Sequence, residues 1–250
     1  MALFKENECV YGTSVGMELL NGSGLMKPGG YQSLVMEIAE RHLRQFGIGV
    51  DDLLRDGMAW VLVSSSVEII EPIRREMSVK ARTWHSEQDR FTFRRELCFT
   101  DEDDRPLFNA ATFSVLMDVR ERKILRPDKT ALSIGDAHSE FLLEASPKLR
   151  FRDEMLPCDR RKIYPSCIDR LGHTNNCRYS EFAYDALTEE EIGNLAQMRR
   201  MDVFFKSELT PGEYFIVRRS AVSSVHGELI IDGIHESTGK QSFICRMVFQ

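Results

Sequence analysis

The chain has 250 residues, of which 42% are hydrophobic and 29% charged, as is typical of a folded globular protein. Its net charge of −6 and the lack of an aromatic-basic tract disfavour nucleic acid as the main partner. No apolar run approaches the roughly 18 residues that a membrane-spanning helix needs. The N-terminal stretch carries Lys5, Glu6 and Glu8 instead of the apolar segment of a signal peptide, so we expect a cytoplasmic protein.

Six cysteines are scattered along the chain without C-x-x-C spacing. In a cytosolic chain, scattered cysteines are usually reduced and buried. Zinc sites need closer spacing of cysteine and histidine than this sequence has. We therefore predict no metal site.

The first predicted element is a helix over residues 31–46. Its apolar side chains recur every three or four positions and form one face: Tyr31, Leu34, Val35, Ile38, His42, Leu43 and Phe46. Pro28, Gly29 and Gly30 precede this segment and Gly47 follows it, which is the chemistry of helix boundaries.

Four strands are predicted next, over residues 60–70, 77–84, 91–99 and 107–119. Alternation in residues 91–99 favours one apolar face, with Phe91, Phe93, Leu97 and Phe99 opposite Thr92, Arg94 and Glu96.

The second half of the chain repeats this order. A helix is predicted after residue 176, with apolar Tyr179, Phe182, Ala183, Ala186 and Leu187, and strands over 202–209, 212–220, 227–234 and 241–249. Glu76 and Glu213 before two corresponding strands, and Arg105 and Lys240 in two corresponding turns, are separated by nearly equal stretches of chain. This indicates a duplicated α+β unit. We expect an N-terminal unit at 1–125, a linker at 126–141 and a C-terminal unit at 142–250.

A dense polar motif precedes the second helix and contains Asp169, Gly172, His173, Asn175 and Asn176. One interpretation is a turn before a capped helix, because Asp favours turns and Asn favours N-caps. The other is an active site at the helix start. Histidine exchanges protons near neutral pH, and Asp169 can orient it, hold water or attack a carbonyl. Free N–H groups at a helix start suit the oxyanion of a tetrahedral intermediate.

Glu208 lies at the end of the predicted strand 202–209. Its position alone indicates a solvated carboxylate. Cys167 and Cys177 flank the polar motif, but nothing beside them predicts a reactive thiolate, so we interpret both as packing residues.

The order of these segments resembles the acyl-carrier-protein thioesterases of fatty acid synthesis. The resemblance runs from about residue 4 to the C-terminus. It rests on the motif D-x-x-G-H-x-N-N-x-x-Y at 169–179, the helix 31–46 with the following FGIG, WVL at 60–62, TW at 83–84, MDVRERKILRP and FFKSEL. It implies a tandem (double) hotdog fold, in which two long helices are wrapped by a continuous antiparallel sheet.

The resemblance also implies which residues carry the chemistry. In the family an acid, a histidine and a glutamate surround the thioester, and by position these are Asp169, His173 and Glu208. The base that activates water is then Glu208. Asn175 and Asn176 are expected at the substrate.

Two positions depart from the family. Leu171 stands where the family often has asparagine, which removes one expected amide. Leu209 stands where some plant members have cysteine, which excludes a cysteine nucleophile at this position.

The function implied is hydrolysis of fatty acyl thioesters, releasing free fatty acid from acyl carrier protein without a cofactor or metal. The first half has MKPGG before its helix, with no acid or histidine, so it is expected to shape the acyl cavity only. Three alternatives stay open: an acyl-CoA thioesterase, a hotdog dehydratase acting on β-hydroxyacyl thioesters, and a non-catalytic acyl-binding module.

A protein partner requires a basic surface, because acyl carrier proteins are acidic. Arg160, Arg161 and Lys162 are the candidates for carrier docking, although nearby acidic residues also fit an ordinary solvated surface. We expect a monomeric pseudo-dimer or a homodimer.

Overall fold

The structure, a computed structural model, describes residues 9–88, 91–126, 138–152, 154–221 and 227–250. Most of the predicted linker 126–141 lies outside the described residues. In chain order the elements are β1 (Cys9–Val15), α1 (Pro28–Gln45), α2 (Val50–Arg55), β2 (Met58–Ile69), β3 (Met77–Gln88), β4 (Thr92–Thr100), β5 (Pro106–Asp118), β6 (Lys123–Ile124), β7 (Met155–Lys162), α3 (Asn176–Tyr184), α4 (Glu189–Gly193), β8 (Met198–Phe205), β9 (Tyr214–Ser220), β10 (Gly227–His235) and β11 (Gln241–Phe249).

The strands form one continuous antiparallel sheet in the order β1-β3-β4-β5-β2-β8-β11-β10-β9-β7, with β6 paired to β5. From the middle outward, each half places its strands in the same sequence, so β2 corresponds to β8 and β1 to β7. The halves join where Ser64–Glu68 of β2 pairs antiparallel with Arg200–Phe204 of β8. The α+β class and the continuous sheet agree with the sequence analysis.

Helix α1 lies against the N-terminal half of the sheet. It begins at Pro28, three residues before the predicted start, because the fixed φ of proline suits the first helical turn. It ends before Gly47, whose φ of 67° is the left-handed conformation typical of a residue after a helix. Val35 and Ile38 on its apolar face have no solvent exposure.

Helix α3 is shorter than predicted. It has nine residues and ends at Tyr184, so Ala186 and Leu187 lie outside it. Thr188 is the N-cap of α4 and forms a capping box, in which its side chain accepts the N–H of Glu191. The start of this new helix interrupts the helical spacing of apolar residues that the sequence continues past α3. The expectation of two long helices is therefore wrong: one is long and one is short.

The main hydrophobic cluster spans both halves. Val35 of α1, Val67 of β2, Phe182 of α3 and Met201 of β8 belong to one buried cluster. None of the helices in the described part of the chain is long and apolar enough to cross a membrane.

The face of β4 that was predicted to be polar is covered by protein. Arg94 Nε and Glu96 Oε1 form an ion pair of 2.6 Å, and the Glu96 side chain has no exposure. The chain after residue 138 passes over them, because Leu142 N donates to Glu96 Oε2 and Arg94 Nη2 donates to Leu143 O. The charges on this face are thus buried and paired rather than solvated.

Candidate active site

A pocket opens where the two halves of the sheet separate. Pairing between β2 and β8 stops at Ser64 and Phe204, although β2 begins at Met58. A β-bulge shifts the β2–β5 register between Leu62 and Ser64, at the same place. Bulges bend a strand and are common beside active sites. The resulting pocket has a volume of about 550 Å³ and walls from both halves.

The polar motif folds into a tight loop at one wall of this pocket. Asp169 N donates to His173 O at 2.9 Å, and Gly172 between them has a φ of 82° that favours glycine. Thr174 then fixes the loop to the chain after β8, since its N–H and its hydroxyl both donate to Leu209 O.

Glu208 projects into the pocket from the segment that follows β8. The predicted strand 202–209 is β8 at 198–205, so Glu208 lies past its end. The backbone is held on both sides of it: Ser242 Oγ donates to Ser207 O at 2.8 Å, and Leu209 N donates to the hydroxyl of Tyr179. Between these anchors, the Glu208 side chain lines the pocket.

His173 and Glu208 meet there, with 3.4 Å between His173 Nε2 and Glu208 Oε2. Both side chains are about one-third exposed, at 32% and 35%. A carboxylate and an imidazole at this distance can share and transfer a proton of bound water.

Asp169 also lines the pocket, but its carboxylate is engaged within its own loop. Its Oδ1 accepts the N–H of Leu171 at 2.8 Å, which is a turn contact. No hydrogen bond joins the side chains of Asp169 and His173 among the described residues. The structure therefore brings the three predicted residues into one pocket and pairs two of them.

The two asparagines have different surroundings. Asn175 is the N-cap of α3, with Oδ1 accepting Cys177 N at 2.9 Å, and it is exposed outside the pocket lining. Asn176 is the first helical residue and lines the pocket. Within the described chain, nothing accepts the N–H of Asn176, so this donor at the positive end of the helix is available to an oxyanion.

Cys177 beside the motif is not a reactive thiolate. Burial raises the pKa of the Cys177 thiol to about 11, so it is a thiol at neutral pH. Burial also raises the pKa of the Tyr179 hydroxyl, which stays protonated where it accepts the N–H of Leu209.

The first half contributes more to the site than the sequence analysis assigned to it. Apolar side chains of the first half form the opposite wall: Leu54, Ala59, Trp60, Leu62 and Met117. Arg122 lies beside them, and its Nη2 donates to Glu208 Oε2 at 2.7 Å. Sequence reasoning missed Arg122, whose only signal was its place inside the segment MDVRERKILRP.

The proposed docking residues lie on the edge strand β7, outside the pocket lining. Arg160 forms two hydrogen bonds with Glu236, at 2.7 and 2.8 Å. Arg161 bridges Asp159 and Asp185. Lys162 lies over the ring of Tyr164. Two of these three charges are thus already paired, and an acidic partner has to compete with their carboxylates.

The fold and the site define a class of protein: a carboxylate, an imidazole and a helix-start amide face an apolar wall without a reactive thiol. Such a site suits the addition of water to an acyl group. Residues 26–133 match the family model of the acyl-ACP thioesterase N-terminal domain, which confirms the family resemblance of the sequence.

Solved structures of this family have the same fold. An acyl-ACP thioesterase from Bacteroides thetaiotaomicron superposes with a TM-score of 0.79 at 19% identity, covering 98% of both chains. The 12:0-ACP thioesterase from Umbellularia californica superposes with a TM-score of 0.75 at 13% identity, covering 100% of this chain and 99% of the other. No curated protein sequence matches the chain significantly.

Proposed function

We propose that the protein hydrolyses fatty acyl thioesters of acyl carrier protein and releases the free fatty acid. The observation that carries this proposal is the His173–Glu208 pair, which faces an apolar wall across one pocket. An acyl chain against Trp60 and Leu62 leaves its carbonyl near the polar residues. The family match over residues 26–133 supports the same substrate class.

The reaction requires only groups of this chain and water. Glu208 takes a proton from a water molecule as the water oxygen adds to the thioester carbonyl carbon. His173 hydrogen-bonds within the cluster, and the N–H of Asn176 stabilises the oxyanion. When the tetrahedral intermediate collapses, the carbon–sulfur bond breaks and the proton passes from Glu208 to the departing thiolate. Asp169 holds the loop that presents His173, and no cofactor or metal takes part.

The finer architecture belongs to the same proposal. We interpret the repeated strand order as a tandem hotdog, with units at 1–125 and 142–250 that form a monomeric pseudo-dimer. The corresponding place before α1 is Met26-Lys27-Pro28, with neither acid nor imidazole. This disfavours a dehydratase that needs such groups from both units. The cytoplasmic location stays a prediction.

Substitution of the central pair tests the function. We expect His173→Ala and Glu208→Ala each to lower turnover at least ~10²-fold, the usual scale for loss of acid–base catalysis. The melting temperature should change little, because both side chains are partly exposed. The measurement is thiol release from fatty acyl thioesters. Near-normal turnover in both variants would remove the catalytic assignment, and a wild-type protein that binds acyl chains without releasing thiol would be an acyl-binding module.

The same assay tests whether the acyl chain is carried by acyl carrier protein or by coenzyme A. Docking of an acidic protein on Arg160, Arg161 and Lys162 should weaken as salt shortens the Debye length from ~10 Å at 0.1 M to ~3 Å at 1 M. We expect a higher kcat/KM for acyl carrier protein than for the matching acyl-CoA at low salt. Equal efficiency on both would favour an acyl-CoA thioesterase.

A further inference from the structure

Arg122 reaches the active site from the other half of the molecule. It belongs to the loop between β5 and β6, whereas Glu208 and His173 follow elements of the C-terminal half. Arg122 Nη2 donates to Glu208 Oε2, the same oxygen that faces His173 Nε2. The first half therefore supplies a charged group to a cluster that otherwise comes entirely from the second half.

The loop that carries Arg122 is held in one shape. Glu121 N donates to the side chain of Asp118 at 2.7 Å, and Val119 N donates to Gly57 O at 2.9 Å. Arg122 itself has a φ of 52°, the left-handed region that costs energy for a residue with a Cβ. Such strain persists where the surroundings determine it, and it is frequent at functional sites.

The contact divides the two oxygens of the carboxylate between two tasks. Oε2 is occupied by Arg122 and faces His173. Oε1 has no hydrogen-bond donor within the described residues, so it is available to water in the pocket. Without the guanidinium, the Glu208 side chain could rotate and present either oxygen to His173. The charge-assisted hydrogen bond of 2.7 Å joins side chains that are 60% and 35% exposed, and it favours the rotamer in which Oε2 faces His173.

We propose that Arg122 is a positioning residue of the active site, which fixes the Glu208 carboxylate so that Oε2 faces His173 and Oε1 holds the attacking water. This inference rests on the proposed hydrolysis and adds a residue of the first half to it. Misplacement of a reacting group by about 1 Å can cost ~10²-fold in rate. The role therefore concerns kcat more than substrate binding.

The chain offers two matched controls. Arg170 Nη1 forms an ion pair of 2.8 Å with Asp51 of α2, so it also connects the halves, yet it does not contact Glu208 or His173. Arg120 is an exposed arginine two residues away in the same loop, outside the pocket lining. Arg170 tests whether any bridge between the halves matters, and Arg120 tests whether any charge in the loop matters.

The experiment compares Arg122→Ala, Arg122→Lys, Arg170→Ala and Arg120→Ala on one fatty acyl thioester. We expect Arg122→Ala to lower kcat by about 10- to 100-fold with KM changed less than about 3-fold. Arg122→Lys should recover part of kcat, because lysine keeps the charge but not the planar fork. Millimolar guanidinium should raise the kcat of Arg122→Ala and not of the wild type, relative to sodium chloride at equal ionic strength. Arg120→Ala should keep wild-type kcat, and Arg170→Ala should lose less kcat than Arg122→Ala, because Arg170 contacts Asp51 and not Glu208.

Two results would overturn the proposal. One is a kcat of Arg122→Ala equal to that of Arg120→Ala. The other is a loss of kcat that guanidinium fails to restore and that accompanies a lower melting temperature, which would make Arg122 a structural bridge. Neither result affects the hydrolase function, which depends on wild-type turnover and on the Glu208 and His173 variants.

Discussion

The guanidinium of Arg95 lies inside the N-terminal half, between β4 and helix α1, where only 3% of the residue is exposed. Its hydrogen-bond partners are neutral acceptors: His85 Nε2 at 2.8 Å, Thr83 Oγ1 at 3.2 Å and His42 Nδ1. Burial lowers the pKa of Arg95 to about 10, so it is still charged at neutral pH. A buried charge held this way requires its histidine partners to be neutral, because only a neutral ring nitrogen accepts.

This cluster predicts a pH dependence of stability. Burial, and then the positive charge of Arg95, hold the pKa of His85 well below its usual value. Below about pH 6.5, His85 is protonated in the unfolded chain but stays neutral in the folded protein. The contribution of His85 to the free energy of unfolding is therefore fully present above that pH and is lost as the solution is acidified. At pH 5.5 the loss from this one residue should be about 1 kcal/mol.

The measurement is chemical denaturation at pH 7.5 and pH 5.5, comparing the wild type with His85→Gln. The glutamine can still accept a hydrogen bond from Arg95 but does not titrate. The free energy of unfolding of His85→Gln should therefore decrease between pH 7.5 and pH 5.5 by about 1 kcal/mol less than that of the wild type. Equal decreases in both proteins would show that His85 does not sense pH in this range.

At the scale of the element, the start of α3 gives two adjacent asparagines separate tasks. Asn175 caps the helix, and Asn176 faces the pocket. We expect Asn175→Ala to lower the free energy of unfolding by about 1 kcal/mol, the usual value of an N-cap, with kcat/KM close to wild type. Asn176→Ala keeps the backbone N–H but removes the side-chain amide from the pocket lining. We expect it to lower kcat/KM by about 3- to 10-fold, the scale of one hydrogen bond from that amide to the substrate, without loss of stability.

Denaturation and steady-state kinetics on the two variants check this division. Each variant serves as the control for the other, since they remove the same side chain at neighbouring positions. A large loss of activity in Asn175→Ala at unchanged stability would reverse the assignment and place the capping residue at the substrate.

Strand β7 was not predicted, because its residues follow no period. Helix α1 and strand β4 were predicted from the spacing of their apolar residues, which is about 3.6 in the helix and 2 in the strand. Strand β7 is an edge strand, exposed along nearly its whole length, so nothing selects an alternating pattern in it. The covering of the polar face of β4 was not predicted, because the chain that covers it comes more than 40 residues later.

The same limit applies to the site. Asp169, His173 and Asn176 are close in sequence, so their motif was visible. Arg122 and Glu208 are 86 residues apart and meet only because β2 and β8 join the halves of the sheet. A contact that depends on the junction of two units leaves no spacing in the sequence to recognise.

For the whole molecule, the junction between the halves is both structural and functional. The C-terminal half contains His173 and Glu208, but one wall of the pocket and Arg122 belong to the first half. Strand β8 pairs with β2 on one side and β11 on the other, so removal of the first half exposes an edge in the centre of the sheet. The shared core would lose its cover at the same time, since Val35 and Val67 pack with Phe182 and Met201.

We therefore expect residues 142–250 expressed alone to aggregate or fold poorly, because they carry an unpaired β8 and an uncovered apolar face. The measurement is the soluble yield and the cooperativity of thermal unfolding, compared with the full chain. Co-expression with residues 1–141 is the matched control: it restores the partner strand, the pocket wall and Arg122, so soluble protein and thioester hydrolysis should both return. A monomeric 142–250 fragment that unfolds cooperatively and hydrolyses thioesters by itself would contradict the shared core and the shared active site together.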